Sequence, residues 1–135
     1  MIFGTFDILH AGHFYIFKQA KKIGDEVVAI VARDTNVEKI KGQTPFHNEK
    51  ERKYILSRID LIHKVILGDK KDVYKAIKTI KPEIILLGYD QINFVDNLKK
   101  ILKENKLPTK IIRAKPFADN HFKTRKIKDY LNKFL

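Results

Sequence analysis

The segment Gly4-Thr5-Phe6-Asp7-Ile8-Leu9-His10-Ala11-Gly12-His13 holds the richest set of residues able to do chemistry. Gly4 and Gly12 permit tight turning and a close backbone approach to a ligand. His10 and His13 are three apart, so on a helical turn they project to one side. His13 enters a helical pattern, and the exposed N–H groups and positive dipole end of a helix start favour phosphate. Two imidazoles beside such a terminus are poor at holding cations and good at donating to phosphate oxygens. The competing interpretations are two polar histidines in a surface loop, or a bare metal-ligand pair. Position decides for phosphate, because the segment joins a strand to a helix.

The surrounding elements read as β-α-β-α-β-α-β-α-β-α. Met1 to Phe3 is a short strand ending at Gly4; three residues are few for a central strand. Phe14 to Ile23 is helical, with Phe17, Ala20 and Phe14 as its candidate inner face, and stops at Gly24-Asp25. Glu26 to Ala32 is a β-branched run, as in a strand covered on both faces. Asn48 with Glu51 three residues on starts a helix through about Ile59. Ile62 to Leu67 is the next strand. Lys71 to Ile80 is helical through Val73, Ala76, Ile77 and Ile80, and Lys81-Pro82 ends it. Ile84 to Leu87 is a strand capped by Gly88, Phe94 to Lys103 a helix, and Lys110 to Ile112 a weak fifth strand. Thr124 is a candidate cap for a last helix with Ile127, Leu131 and Phe134 inward.

This order predicts an α/β fold: a Rossmann-like three-layer sandwich on a five-stranded parallel sheet, formed by residues 1–135 as one domain. Ligands of such sheets sit beyond the carboxyl ends of the strands, where strand order reverses. The segments to search are therefore Gly4 to His13, Arg33 to His47, Gly68-Asp69, Gly88 to Asn93 and Arg113 to Lys126.

Composition narrows the classes. Apolar residues make up 44% and charged residues 33% of 135, the balance of a globular chain. No apolar run approaches the ~18 residues of a membrane helix and no signal peptide opens the chain, so a cytoplasmic location without membrane contact is expected. The absence of cysteine removes disulfides, thiolate zinc sites and thiol nucleophiles. Lys plus Arg total 28 against 16 Asp plus Glu, a net charge of +12 that favours anionic partners. The excess is 23 lysines to 5 arginines and is spread along the chain, which argues against a dedicated nucleic-acid arm. A non-catalytic nucleic-acid-binding module is the rival from another class. No G-x-G-x-x-G follows the first strand and no G-x-x-x-x-G-K is present, against a nicotinamide oxidoreductase and a Walker NTPase. A metal hydrolase built on His10, His13 and His47 lacks a carboxylate at ligand spacing on a helix, and no protein-held metal site is expected.

Gly4-Thr5-Phe6-Asp7 followed by His10-Ala11-Gly12-His13 resembles the GTFD…HxGH signature of the cytidylyltransferase-like nucleotidyltransferases, and the resemblance runs essentially end to end. It implies nucleotidyl transfer, in which an acceptor phosphate attacks the α-phosphorus of a nucleoside triphosphate and pyrophosphate leaves, with Mg²⁺ on the phosphates. It further implies that Thr5 and His13 contact the α-phosphate region, His13 chiefly in the transition state, with His10 in support. Lys41, before Gly42, matches a phosphate-facing lysine better than Lys39 does. Phe6 and Gly88-Tyr89-Asp90-Gln91 fall where the family receives the nucleotide, and Asp7 and Arg52 where it orients substrate. Arg52 reads equally well as a surface helix arginine. The last phosphate motif departs from the family pattern: His121-Phe-Lys-Thr-Arg-Lys-Ile127 keeps Thr124 but has Lys123 in place of a small hydroxyl residue. Thr124, Arg125 and Lys126 are its candidates for the β,γ-phosphates.

Class I aminoacyl-tRNA synthetases share a similar histidine motif but need further modules that 135 residues cannot hold. Glycerol-3-phosphate cytidylyltransferases and heptose-phosphate nucleotidyltransferases share the opening motif. Two further blocks, Val31 to Gly42 and Leu86 to Gln91, resemble the archaeal FAD synthase branch and imply ATP rather than CTP, and FMN as acceptor. Phe6, Phe46, Tyr89, Phe94, Phe117 and Phe122 lie in or beside post-strand loops, more aromatic surface than a glycerol-sized acceptor calls for. The resemblance also implies a homodimer, with Asp60-Leu61-Ile62-His63 where relatives carry an R-x-V-D contact.

Overall fold

A computed structural model describes residues 1–117 and 123–135. The chain runs β1 (Ile2–Gly4), α1 (Ala11–Ile23), β2 (Val28–Val31), α2 (Asp34–Lys41), α3 (Glu49–Ser57), β3 (Lys64–Leu67), α4 (Lys75–Ile80), β4 (Ile84–Leu87), α5 (Leu98–Glu104), β5 (Lys110–Arg113) and α6 (Thr124–Asn132). The five strands form one parallel sheet in the order β3-β2-β1-β4-β5. This is the expected α/β arrangement. The order reverses at β1, so the crevice between the carboxyl ends of β1 and β4 is the place for a ligand.

Strand alternation sorts the core onto two faces. Ile2, Ala29, Val31 and Leu86 pack with Phe17 and Ala20 of α1 and Leu56 of α3. Ile85 and Leu87 pack with Ile77 of α4 and Leu98 and Leu102 of α5 on the other face. Parallel strands buried on both sides must be apolar throughout, which is why β2 and β4 carry no polar residue. β1 is central despite its three residues; it is held by the Ile2–Ala29 to Gly4–Val31 register with β2 and by Leu86 N donating to Met1 O at 3.0 Å.

Several expectations are corrected. Residues 34–41, expected as loop, form α2; only Val37 of that helix is buried, so no apolar stripe marks it. α4 begins at Lys75 rather than Lys71, and α5 at Leu98 rather than Phe94, because turns at 72–74 and 95–97 precede them. Phe14 on α1 and Ile80 at the end of α4 are exposed, and Val73 is exposed in the turn before α4 rather than on the helix. Thr124 is the first residue of α6 and caps nothing: its hydroxyl donates to Ile8 O at 3.0 Å. Ile127 is half-buried, but Leu131 and Phe134 are exposed, since α6 is held at its start by polar contacts and has no buried residue. His121 and Phe122, named above as candidates, lie outside the described residues.

Candidate active site

β1 ends at Gly4, and the chain turns immediately through Phe6 in a left-handed conformation (φ 52°). The turn folds the Phe6 ring back under the strand end, so a Cβ on Gly4 would lie 2.8 Å from Phe6 Cζ. Glycine at position 4 is thus a packing requirement. Phe6 is buried between His13 and Phe17, at 5.9 and 5.7 Å between ring centroids, and forms the floor of the site rather than a wall open to a nucleotide.

His10 stands at the N-cap of α1. Its Nδ1 accepts from Gly12 N at 3.2 Å, and His13 Nδ1 accepts from His10 N at 3.2 Å. Imidazoles thus take the parts usually played by a hydroxyl and a carboxylate at a helix start. An accepting Nδ1 assigns the proton of each neutral ring to Nε2. The rings lie 3.9 Å apart, and each can point an Nε2–H donor away from the backbone. Burial, then the neighbouring His10 and Lys41, pushes the His13 pKa down to about 3, and burial also lowers that of His10. Both are therefore neutral donors at neutral pH. No acidic residue occupies the first turn of α1 to compete with an anion there.

Lys41 closes α2, which ends at Gly42 in the left-handed conformation (φ 70°). That turn brings Lys41 Nζ to 3.1 Å from Thr5 Oγ1. Loss of solvation at its ammonium end lowers the Lys41 pKa; Asp7 and Asp90 oppose this, and Lys128 and Arg52 add to it. A phosphate arriving here would relieve the repulsion among these cations.

Across the crevice, Gly88 to Gln91 follow β4. Gly88 N donates to Gln91 Oε1 at 3.2 Å. Arg113, at the end of β5, donates through Nη1 to Gly88 O at 2.8 Å and to Gln91 O at 2.9 Å. Lys123 bonds Asp90 Oδ2 at 3.1 Å and lies 5.3 Å from the centre of the Tyr89 ring, and these partners raise its pKa. Lys128 reaches Asp7 Oδ2 at 3.0 Å. Lys128 was absent from the sequence candidates; Arg113 entered only as the possible arginine of the last phosphate motif, and Lys123 only as a departure from it. Arg113 was detectable as the cation directly after the Lys110 to Ile112 run, at the carboxyl end of the sheet, but Lys128 was one of the lysines of α6.

Asp7 and Arg52 face inward. Burial pushes the Asp7 pKa up, but bonds from His47 N and Phe46 N and the nearby Lys128 outweigh it and leave it lowered. Arg52 is 0% exposed, which corrects the surface alternative. Its donors reach His47 O, Thr5 O, Ala32 O and Asp34 Oδ1 at 3.0, 2.7, 2.8 and 2.6 Å. Neither residue offers a substrate a free polar group of its own as placed here. Arg125 and Lys126 are exposed on α6, and Arg125 lies 3.9 Å from Asp129 of the same helix.

Among the described residues no group of three His, Asp or Glu side chains could hold a metal ion. Asp7 and Asp90 are engaged as above. The donor set suits phosphate oxygens; a divalent cation would be held here chiefly by its nucleotide and water.

A parallel sheet whose reversal point presents neutral imidazoles, a helix start and converging lysines to one crevice defines a nucleotide-phosphate site of the nucleotidyltransferase class. The Cytidylyltransferase-like family model matches residues 1–130, and the chain belongs to that family. It is 38% identical over 128 residues to an FAD synthase of Aciduliprofundum boonei, covering 94% of this chain and 85% of the relative. It is 45% identical over 110 residues to an FAD synthase of Methanosarcina mazei, covering 82% of this chain and 72% of the relative. A solved lipopolysaccharide core biosynthesis protein from Thermoplasma volcanium superposes with a TM-score of 0.79 at 38% identity, over 87% of this chain and 95% of that one. Among the described residues no helix is long and apolar enough to cross a membrane.

Arg113→Ala is expected to raise KM for the nucleoside triphosphate about three- to tenfold with a smaller change in kcat. It frees the Gly88 and Gln91 carbonyls at an exposed position, where a charged hydrogen bond contributes at the low end of its range. Initial rates at varied nucleotide concentration measure it.

Proposed function

We propose that the chain is an FMN adenylyltransferase. An FMN phosphate oxygen attacks the α-phosphorus of ATP, the bond from that phosphorus to the bridging oxygen of the β-phosphate breaks, and FAD and pyrophosphate form. The observation that carries this reading is the pair of Nε2–H donors at the start of α1 beside Lys41, in a chain similar to named FAD synthases. Transfer at phosphorus needs positioning and charge stabilisation more than covalent help. His13, with His10 beside it, donates to the α-phosphate as charge grows on it. Lys41 and Thr5 hold the phosphates from the β2 side. Gly88 to Gln91 receive the adenosine on the β4 side. Lys123 and Thr124 flank the outgoing pyrophosphate. Mg²⁺ arrives with ATP and neutralises the triphosphate.

The test is chromatographic: ATP, FMN and Mg²⁺ should yield FAD and pyrophosphate in equal amounts. A second reading keeps the chemistry but takes CTP and glycerol 3-phosphate or another small phosphorylated acceptor. The Thermoplasma volcanium similarity favours it, because that protein is described by lipopolysaccharide core biosynthesis and not by flavin. Reaction of CTP with glycerol 3-phosphate, and none of ATP with FMN, would establish it.

A homodimer belongs to the same proposal, with Asp60 as the exposed polar residue of the segment before the edge strand β3. His63 does not serve: its Nδ1 accepts from Val27 N at 3.0 Å and its Nε2 lies 3.3 Å from Lys21 Nζ. Light scattering at micromolar concentration should give twice the chain mass, and a stable monomer removes this part.

A further inference from the structure

Among the described residues the buried charged side chains are Asp7 and Arg52, and both grip the same dipeptide. Asp7 accepts from Phe46 N at 2.8 Å and His47 N at 2.9 Å, and Arg52 donates to His47 O at 3.0 Å. Burying a charge is costly, and here two buried charges fix the backbone of Phe46-His47. Pro45 before them stiffens the approach. Yet the Phe46 side chain held in this way is 70% exposed. A rigidly mounted, solvent-facing aromatic has no role in the core.

Its surroundings suit one kind of ligand. The Phe46 ring meets the His47 ring edge-on, 4.9 Å between centroids. Beside His47 is an open hollow of about 400 Å³ lined by His47, Lys50, Glu51, Tyr54 and Ile55, with the Tyr54 ring 60% exposed. Toward the crevice, Asp7 binds Lys128 at 3.0 Å, and Lys41 reaches Thr5 at 3.1 Å. Asp7 thus ties the Phe46-His47 backbone to Lys128, and Thr5, two residues before Asp7, meets Lys41. A ligand with a phosphate at one end and a planar apolar ring system at the other has the complementary order of parts.

We infer that Phe46, with His47 and the hollow beyond it, is the platform on which the acceptor's fused ring system stacks, its phosphate directed to Lys41 and His13. This rests on the FMN reading above and adds the residue that selects a flavin over a glycerol-sized acceptor. Among the described residues the other aromatic candidates do not compete for the role. Phe6 is buried, Phe94 packs on Phe3 and Tyr74, and Phe117 packs on Tyr15. Tyr89 lies under Lys123 on the nucleotide side.

The experiment compares wild type, Phe46→Ala and Phe46→Trp in FAD formation and in quenching of FMN fluorescence at saturating ATP analogue, with thermal melts and light scattering beside them. Loss of one stacking face should raise KM for FMN on the order of tenfold or more. KM for ATP should stay within about twofold, quenching should weaken, and melting should be unchanged. Phe46→Trp should restore both FMN KM and quenching. Wild-type values in Phe46→Ala overturn the platform and leave the FMN reading standing. A wild-type enzyme that neither quenches FMN nor makes FAD overturns both. An altered oligomeric state in Phe46→Ala with unchanged FMN KM assigns the surface to a second copy of the chain instead.

Discussion

Replacing His13 by Ala should lower kcat by about a hundredfold or more, the loss of roughly 3 kcal/mol expected when one donor to a developing charge is removed. In the mechanism proposed above, the cause is the Nε2–H that the bond from His10 N to His13 Nδ1 fixes in place, offered to the negative charge that accumulates on the α-phosphate. His13→Asn separates this from structure. An asparagine oxygen can still accept from His10 N, as Nδ1 does, but nothing replaces the Nε2 donor. Both variants should therefore lose turnover, while Asn keeps more of the thermal stability. Near-normal rates in either would remove His13 from the reaction. A pH consequence follows. With its folded pKa at about 3, His13 stays neutral through the working range, so the kcat profile should show no acid limb near pH 6.5 from this group. The unfolded chain takes up a proton below about 6.5 that the folded chain refuses. Stability from this group is thus complete above pH 6.5 and lost progressively as pH falls toward 3. Melting temperatures between pH 7.5 and 4.5 should drop less in His13→Asn than in wild type.

How much of this was legible in the sequence follows from the range of each signal. The start of α1 was legible because the spacing of His10 and His13 already specifies a helix entry, and both rings lie there. The sheet was legible because β2 and β4 are continuous apolar runs. Lys41 was singled out by the family resemblance, and the structure puts it at the end of α2 rather than in a loop, with its Nζ on Thr5. The partners of Asp7 and Arg52 were not legible. Asp7 meets its partners 39 and 40 residues away, and Arg52 meets Thr5 across 47. No local pattern encodes such pairs, so a residue that braces the site looked like one that touches substrate. α6 misled in the opposite sense: its Ile127, Leu131 and Phe134 spacing implies a buried stripe, but three polar contacts at Lys123, Thr124 and Lys128 hold the helix instead. Periodicity reports which residues share a face, not whether the fold covers that face.

Arg52→Met should destabilise the fold by about 3–5 kcal/mol, because it leaves three backbone carbonyls without the buried guanidinium that bonds them, each at a cost of roughly 1–3 kcal/mol at most, and takes the cation from the one-third exposed Asp34. That is about a fifth or more of the total expected for single domains, ~5–15 kcal/mol. Methionine fills most of the volume but leaves Thr5 O, Ala32 O and His47 O without their donor and Asp34 without its cation. Lysine is no substitute, because one ammonium cannot match the spread of a guanidinium whose three nitrogens bond four acceptors. The damage should reach the active site as well, since Thr5 O is the atom held at 2.7 Å and Thr5 is the residue that meets Lys41. Urea unfolding measures the first effect and turnover of the remaining folded enzyme the second. A loss below about 1 kcal/mol would mean that water replaces the guanidinium and that the clamp is dispensable. A double-mutant cycle with Asp34→Asn locates the cost. Asp34 also accepts from Glu49 N at 3.1 Å, and Glu49 in turn accepts from Asp34 N at 3.0 Å and Arg33 at 3.1 Å. If the penalty of Arg52→Met lies mainly in the abandoned Asp34 charge, neutralising Asp34 should cost less in that background than in wild type, with a coupling above about 0.5 kcal/mol. If it lies in the three carbonyls, the two substitutions should add.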